Sequence, residues 1–236
     1  MRRKWLAGIL VVGALSVVVA VGWLITSMHT WKAWNLPLSG RVLVVDAGHG
    51  GPDGGAVGGE TEEKEIALAI ARDIRNYLQE AGALVIMTRD SDRDLSDEDY
   101  TGRHKTQDLM RRARLIQTSS PDAFISIHMN AIPSARWRGA QTFYHPKSIK
   151  NQKFARFIQD SLKKNLGNTD RYARPIGHVY LLKKAAPPAA LVEVGFLSNP
   201  DERHLLIQKN YQRKAAHAIS QGIMRYFTSE KTPADE

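Results

Sequence analysis

Three polar residues stand where strand ends would otherwise be apolar: His49, His128 and Glu193. His49 follows Val42-Leu-Val-Val-Asp-Ala-Gly48, whose four aliphatic residues are what a buried strand asks for. The glycine-rich turn Gly48-His-Gly-Gly-Pro-Asp-Gly-Gly55 then stops the strand. It leaves His49 just past the carboxyl end, where open α/β sheets collect their ligands. His128 lies at the end of Ala123-Phe-Ile-Ser-Ile-His-Met-Asn130, in which Phe124, Ser126 and His128 share one strand face and Ile125 and Ile127 the other. Glu193 interrupts Leu191-Val-Glu-Val194. A carboxylate there is expensive to bury unless it is paired or metal-bound.

Imidazoles and carboxylates at neighbouring strand ends suit zinc, which in a catalytic site takes about three side-chain ligands and keeps a position for water. His49 and His128 supply two. A third, carboxylate ligand is expected near the glycine elbow, and Glu60, Glu62, Glu63 and Glu65 all crowd the start of the next helix. Acids there equally complement a helix dipole, and periodicity does not choose among the four. A phosphate-cradling loop is disfavoured because no Gly-Lys-Ser/Thr ending follows the glycines. The acid-rich loop over 89–104 lacks the central glycine and terminal glutamate of a calcium loop and reads as solvated. Arg89, at a strand end, is placed to meet an anionic peptide carboxylate or to make a surface salt bridge. The remaining histidines (His29, His104, His145, His178, His204 and His217) read as surface or core residues.

These side chains need an alternation of strands and helices to hold them. After the first strand, Ile66, Ile70, Ile74 and Leu78 recur every four residues and predict a helix over 62–81, closed by Gly82. A strand at 83–88 completes a βαβ unit with parallel pairing. A helix at about 105–118, the strand ending at Asn130, a strand at 140–145 and a helix at about 150–165 follow. Residues 178–182 read as another strand, 189–194 as a further one, and two short helices run to Phe227. The class is therefore α/β, one domain over 41–228 with a mainly parallel twisted sheet flanked by helices and a polar tail at 229–236.

Ahead of the domain, Arg2, Arg3 and Lys4 precede an uncharged, mostly apolar run from Trp5 to Met28. At ~1.5 Å per residue that run is long enough to cross a ~30 Å hydrocarbon core. It predicts an uncleaved, single-pass anchor over 1–28 with the domain outside the cytoplasm. A cleaved signal peptide is the rival, but its apolar region would be shorter, and Val18-Val19-Ala20 is a poor cleavage site. The linker over 29–40 carries Trp31 and Trp34, suited to a membrane interface. No cysteine is present, which excludes disulfides and a thiolate nucleophile or ligand. The formal charge of +9 suits an acidic membrane surface or cell-wall polymer, and the export signal argues against nucleic acid.

Four motifs occur in order: Asp46-Ala-Gly-His-Gly-Gly51, Glu63-Lys64, Ser126-Ile-His-Met-Asn130 and Leu191-Val-Glu-Val-Gly-Phe-Leu-Ser-Asn199. Together they resemble the zinc-dependent N-acetylmuramoyl-L-alanine amidases of the amidase_3 type, over about residues 41–227. The resemblance implies His49, Glu63 and His128 as zinc ligands and Glu193 as the catalytic residue, moving a proton from water to the leaving amine. It implies peptidoglycan as substrate, cut between muramic acid and L-alanine. Beside such a site Asp46 and Asn130 read either as groups that orient the ligands or as ordinary turn-forming or capping residues. Ala47 stands where the family usually has proline, and Glu62 beside Glu63 competes for the third ligand position. With an anchor and no wall-binding repeat, the chain looks most like the germination-specific amidases of spore-forming bacteria, which implies a part in cortex maturation. A non-catalytic wall-binding protein of the same fold and a stem-peptide peptidase are the alternatives; an activating protein partner stays open.

Overall fold

The computed structural model describes residue 5 and residues 12–26, 36–228 and 230–234. Residues 12–26 form an exposed helix, α1. Among the described residues no helix is long and apolar enough to cross a membrane. Much of the expected anchor (residues 1–4, 6–11 and 27–28), with Trp31 and Trp34 of the linker, lies outside the described residues.

Strand β1 (Val42–Ala47) is buried from Leu43 onward and sits inside the sheet, which is why it reads as an aliphatic run and does not alternate. The short strands β2 (Val57–Gly58) and β3 (Thr61–Glu62) form a small antiparallel hairpin leading into α2 (Glu63–Glu80). In α2 the residues Ile66, Ile70, Ile74 and Leu78 are all buried, each side chain stabilising the fold by about 1.5–3 kcal/mol. Gly82, at φ 97, turns the chain out of α2, and its N–H donates to Gln79 O at 2.9 Å. Strand β4 (Leu84–Met87) pairs in parallel with one side of β1. Helix α3 (His104–Ser119) then crosses to β5 (Ala123–Asn130), parallel to the other side of β1.

Later elements extend the sheet away from β5. They are β6 (Gln141–Tyr144), α4 (Ile149–Ser161), β7 (Arg174–Pro175), α5 (Tyr180–Lys184), β8 (Ala189–Phe196), α6 (Pro200–Leu206) and α7 (Lys209–Tyr226). The strand order is β4-β1-β5-β8-β6-β7, with β5 and β8 parallel and β6 antiparallel to β8. The winding reverses at β1, and the carboxyl ends of β1 and β5 therefore flank the crevice in which such sheets bind ligands. Leu43, Val45, Ile125, Ile127, Val192 and Val194 belong to the core that includes residues of α2, α4 and α7. Val44, Phe124 and Leu191 belong to the core shared with α3 and α5. By strand alternation Asp46, Ser126, His128 and Glu193 continue that second face.

Two expectations are corrected. Residues 178–182 are not a strand; α5 covers most of them, with Leu181 and Leu182 both buried against the α3 side. A short apolar run does not distinguish the two states, and β8 already has β5 and β6 as neighbours. The last two helices are not both short: α6 has 7 residues and α7 has 18. The buried positions of α7 include Ala215, Ala216, Ala218, Ser220 and Gly222, small residues that leave little bulky periodicity to read. The helix expected over 150–165 is α4 continued by a wider turn at Leu162–Leu166, ended by Gly167 at φ 71.

Candidate metal centre

The elbow after β1 is held from behind by two buried arginines. His49 adopts φ 61, a left-handed conformation uncommon for a residue with a Cβ. Arg112 donates to Ala47 O and His49 O, both at 2.7 Å, and Arg89 donates to Ala47 O at 3.0 Å, Gly48 O at 2.8 Å and Lys64 O at 2.8 Å. Each arginine is 1% exposed. Arg112 is paired with Asp46 at 2.7 Å and with Asp108 at 2.9 Å. Asp46 also accepts from Thr88 at 2.7 Å and from Ser126 at 2.5 Å. Burial alone would raise the pKa of Asp46, but Arg112 and the two hydroxyls hold it below the usual carboxylate range. Removing one partner of so buried a pair costs about 3–5 kcal/mol.

Arg89 thereby departs from expectation. It meets neither a peptide carboxylate nor a surface acid, and its donors go to four backbone carbonyls, those of Ala47, Gly48, Lys64 and Ser91. Burial, with Arg112 nearby, pushes its pKa down to about 10. The acid-rich loop that follows is tied to the elbow as well: Asp92 accepts from Gly51 N at 2.9 Å and pairs with Lys64 at 3.0 Å.

In front of the elbow, His49, Glu63 and His128 converge, each offering one ligand atom, with these atoms all within 4.8 Å of one another. His49 Nε2 lies 3.2 Å from Glu63 Oε2, and His128 Nδ1 lies 2.8 Å from Glu63 Oε1. The two rings meet edge to face, with centroids 5.0 Å apart. Backbone N–H groups orient the carboxylate: Ala56 N donates to Oε2 at 2.7 Å and Met129 N to Oε1 at 2.9 Å. Burial would raise the pKa of Glu63, yet the hydrogen bonds and charges of the two histidines lower it well below its usual value. For His128, burial opposes the charge, and Glu63 outweighs it, raising the pKa.

The glycines make room for this cluster. A Cβ on Gly48 would come within 2.4 Å of the His128 ring, and one on Gly55, at φ 74, within 2.6 Å of Glu63 Oε2. Of the four acids near the helix start, Glu63 alone turns inward, at 2% exposure. Glu62 reaches Lys64 at 3.3 Å, and Glu60 and Glu65 are exposed. Asp53, which the sequence did not single out, stands 3.0 Å from His49 Nδ1. Partial burial would raise the Asp53 carboxyl, and His49 and Lys105 hold it below the usual carboxylate range.

Glu193 sits opposite His128 in the β5–β8 register. The residue keeps part of its surface open, but its Oε2 is sealed from water and without a hydrogen-bond partner among the described residues. Burial pushes its carboxyl up to about 7; His128 and His49 pull the other way and Glu63 adds to the rise. A bound cation would reverse that balance by favouring the ionised form. Two imidazoles, a buried carboxylate oriented by N–H groups and an orphaned acid beside them fit a nitrogen- and oxygen-liganded divalent metal such as zinc. Asn130 contributes its backbone O to Leu197 N at 2.8 Å. None of the other described histidines joins the cluster, and His29 lies outside the described residues.

The family model for N-acetylmuramoyl-L-alanine amidase (Amidase_3) matches residues 43–225. The germination-specific N-acetylmuramoyl-L-alanine amidase of Bacillus subtilis (strain 168) is 49% identical over 236 residues, 99% of each chain. The CwlD amidase from Clostridioides difficile, solved in complex with the GerS lipoprotein, superposes with a TM-score of 0.77 at 38% identity, covering 79% of this chain and 98% of that one. The catalytic domain of CwlV, an N-acetylmuramoyl-L-alanine amidase from Bacillus (Paenibacillus) polymyxa var. colistinus, gives 0.70 at 31% identity, covering 79% and 97%.

Proposed function

The chain belongs to the Amidase_3 family of N-acetylmuramoyl-L-alanine amidases, and on that premise we propose a zinc-dependent mechanism in which His49, Glu63 and His128 hold the metal and Glu193 moves the proton. The observation that carries this reading is the convergence of the three ligand atoms next to an orphaned Glu193 Oε2. Zinc in such a site supplies Lewis acidity, activating water and polarising the scissile carbonyl. Glu193 accepts the proton of the attacking water and returns it to the departing amine of L-alanine. Ala56 N and Met129 N keep the Glu63 carboxylate in one orientation, and Arg112 keeps the His49 backbone in its left-handed turn.

The test is mass spectrometry of purified peptidoglycan after incubation with the protein and zinc. Free stem peptides beside intact glycan strands are expected. Shortened peptides still attached to the glycan would indicate a stem-peptide peptidase, and no release a wall-binding protein.

We place the reaction in spore-cortex maturation, upstream of muramic lactam, and the likeness to a germination-specific amidase over nearly the whole chain supports this. The complex of CwlD with a lipoprotein supports an accessory lipoprotein as partner. The charge pattern of the first 28 residues supports a membrane anchor with the catalytic domain outside. Mass analysis of the protein from a membrane fraction is expected to return an intact N-terminus. A mature chain starting near residues 20–30 would replace the anchor with a cleaved signal.

A further inference from the structure

Three arginines, Arg136, Arg138 and Arg171, stand around the segment that leads into the strand opposite Glu193, and none has a carboxylate within ion-pair distance among the described residues. Gln141 of β6 lies directly opposite Glu193, and the segment leading into β6 is Arg136-Trp-Arg-Gly-Ala140. The β5–β8 register also shifts here: His128 pairs with Glu193, but Asn130, two residues on, pairs with Phe196, three residues on. A bulge re-aims the side chains beyond it, and this one brings Phe196 to the face that carries His128 and Glu193.

Arg171 lies over the Phe196 ring at 5.2 Å and over Trp137 at 5.9 Å, and Arg136 lies over Trp137 at 5.7 Å. Arg171 Nη1 donates to Gly139 O at 2.6 Å; among the described residues no other hydrogen bond and no ion pair engages its guanidinium. Arg136 and Arg138 likewise have no acidic partner within ion-pair distance among the described residues. The nearby acid Glu202 accepts from the N–H groups of Gly139 (2.8 Å) and Phe196 (2.8 Å); burial raises its pKa, and the charges of Arg171 and Arg138 act against that rise from beyond ion-pair distance. A cleft of about 750 Å³ lined by Arg138, Asn168, Arg171, Asn199, Glu202 and Tyr211 opens at this place, and its other acids, Asp170 and Asp201, are exposed.

We propose that Arg171, with Arg136 and Arg138 around Trp137, forms the subsite that grips a carboxylate of the acidic stem peptide, two to three residues beyond the scissile amide. The proposal rests on the hydrolase reading above. Spacing supports the position. Gly139 is two residues from Gln141, which pairs with Glu193, and with ~3.4 Å per residue and ~4.8 Å between strands its backbone lies roughly 8 Å from that of Glu193. That is the reach of about two to three extended residues. The chemistry fits as well: a guanidinium positioned over aromatic rings, with only Nη1 engaged by a carbonyl among the described residues, keeps donors for a carboxylate.

The experiment compares two muramoyl peptides, one with free peptide carboxylates and one with carboxamides in their place, on the purified full chain with zinc. Wild-type protein is expected to prefer the carboxylate form. Arg171→Ala should raise KM on that form by roughly tenfold to a hundredfold with kcat nearly unchanged, and should barely affect the amidated form. Arg171→Lys should fall between, keeping the charge without the fork. Arg138→Ala, at an exposed position whose side chain makes no hydrogen bond among the described residues, should give a smaller KM rise on the carboxylate form alone and does not depend on Arg171→Ala folding. Equal losses on both substrates, or wild-type indifference between them, would overturn the subsite alone. Wild-type protein that releases peptide from neither substrate would overturn the hydrolase reading and the subsite with it.

Discussion

On the proposed mechanism, Glu193→Gln is expected to leave the fold and zinc binding in place while turnover falls by roughly 10²–10⁴, the usual contribution of general acid–base assistance. The amide matches the carboxylate in volume but neither accepts nor returns a proton at neutral pH. A purely structural role for Glu193 makes a different forecast, since breaking a buried hydrogen-bond network usually costs a few kcal/mol. The geometry argues against such a network, because Oε2 has no hydrogen-bond partner among the described residues to lose. The amide also carries no charge to desolvate, so the thermal midpoint of the metal-free protein should hold or rise. Thermal midpoint, zinc stoichiometry and turnover are to be measured on one preparation. A variant that melts early or sheds zinc while keeping its activity per folded molecule would remove Glu193 from the mechanism.

Much of this site is legible in the chain because parallel strands covered on both faces are written as aliphatic runs. Against the aliphatic residues of Val42–Val45, Ile125–Ile127 and Leu191–Val194, a histidine or glutamate in or just after the strand stands out, and His49, His128 and Glu193 do so. Glu63 does not. Four acids near one helix start look alike to a dipole argument, and the β2–β3 hairpin, which turns Glu63 inward and leaves Glu62 on Lys64, is too short to read from a pattern. The buried arginines are hidden for another reason. Arg112 sits in Met110-Arg-Arg-Ala-Arg114, where nothing local marks one arginine for the interior, and its partner Asp46 is 66 residues away. Arg171 meets Gly139, Trp137 and Phe196, residues 25 or more positions away in the chain, and nothing local marks it for them.

Removing Glu63 should have the second large effect, and it distinguishes the neighbouring acids. Glu63→Ala deletes one of the three converging groups proposed to hold the metal, separates the two imidazoles from the group that bridges them and leaves Ala56 N and Met129 N without their acceptor. Changes to groups that merely orient a ligand typically cost 10–100-fold in metal affinity, so loss of a ligand itself should exceed about 100-fold. His49→Ala and His128→Ala should behave alike, with zinc content and turnover falling together. Glu62→Ala should do neither. It loses a partly exposed pairing with Lys64, and such surface pairs contribute about 0–1 kcal/mol. Zinc affinity is read by competition with a chromophoric chelator, alongside the thermal midpoint of each metal-free variant, which separates lost binding from lost folding. Should Glu62→Ala be the variant that releases zinc while Glu63→Ala retains it, the third ligand is the preceding residue, and the hairpin must present Glu62 to the histidines in solution.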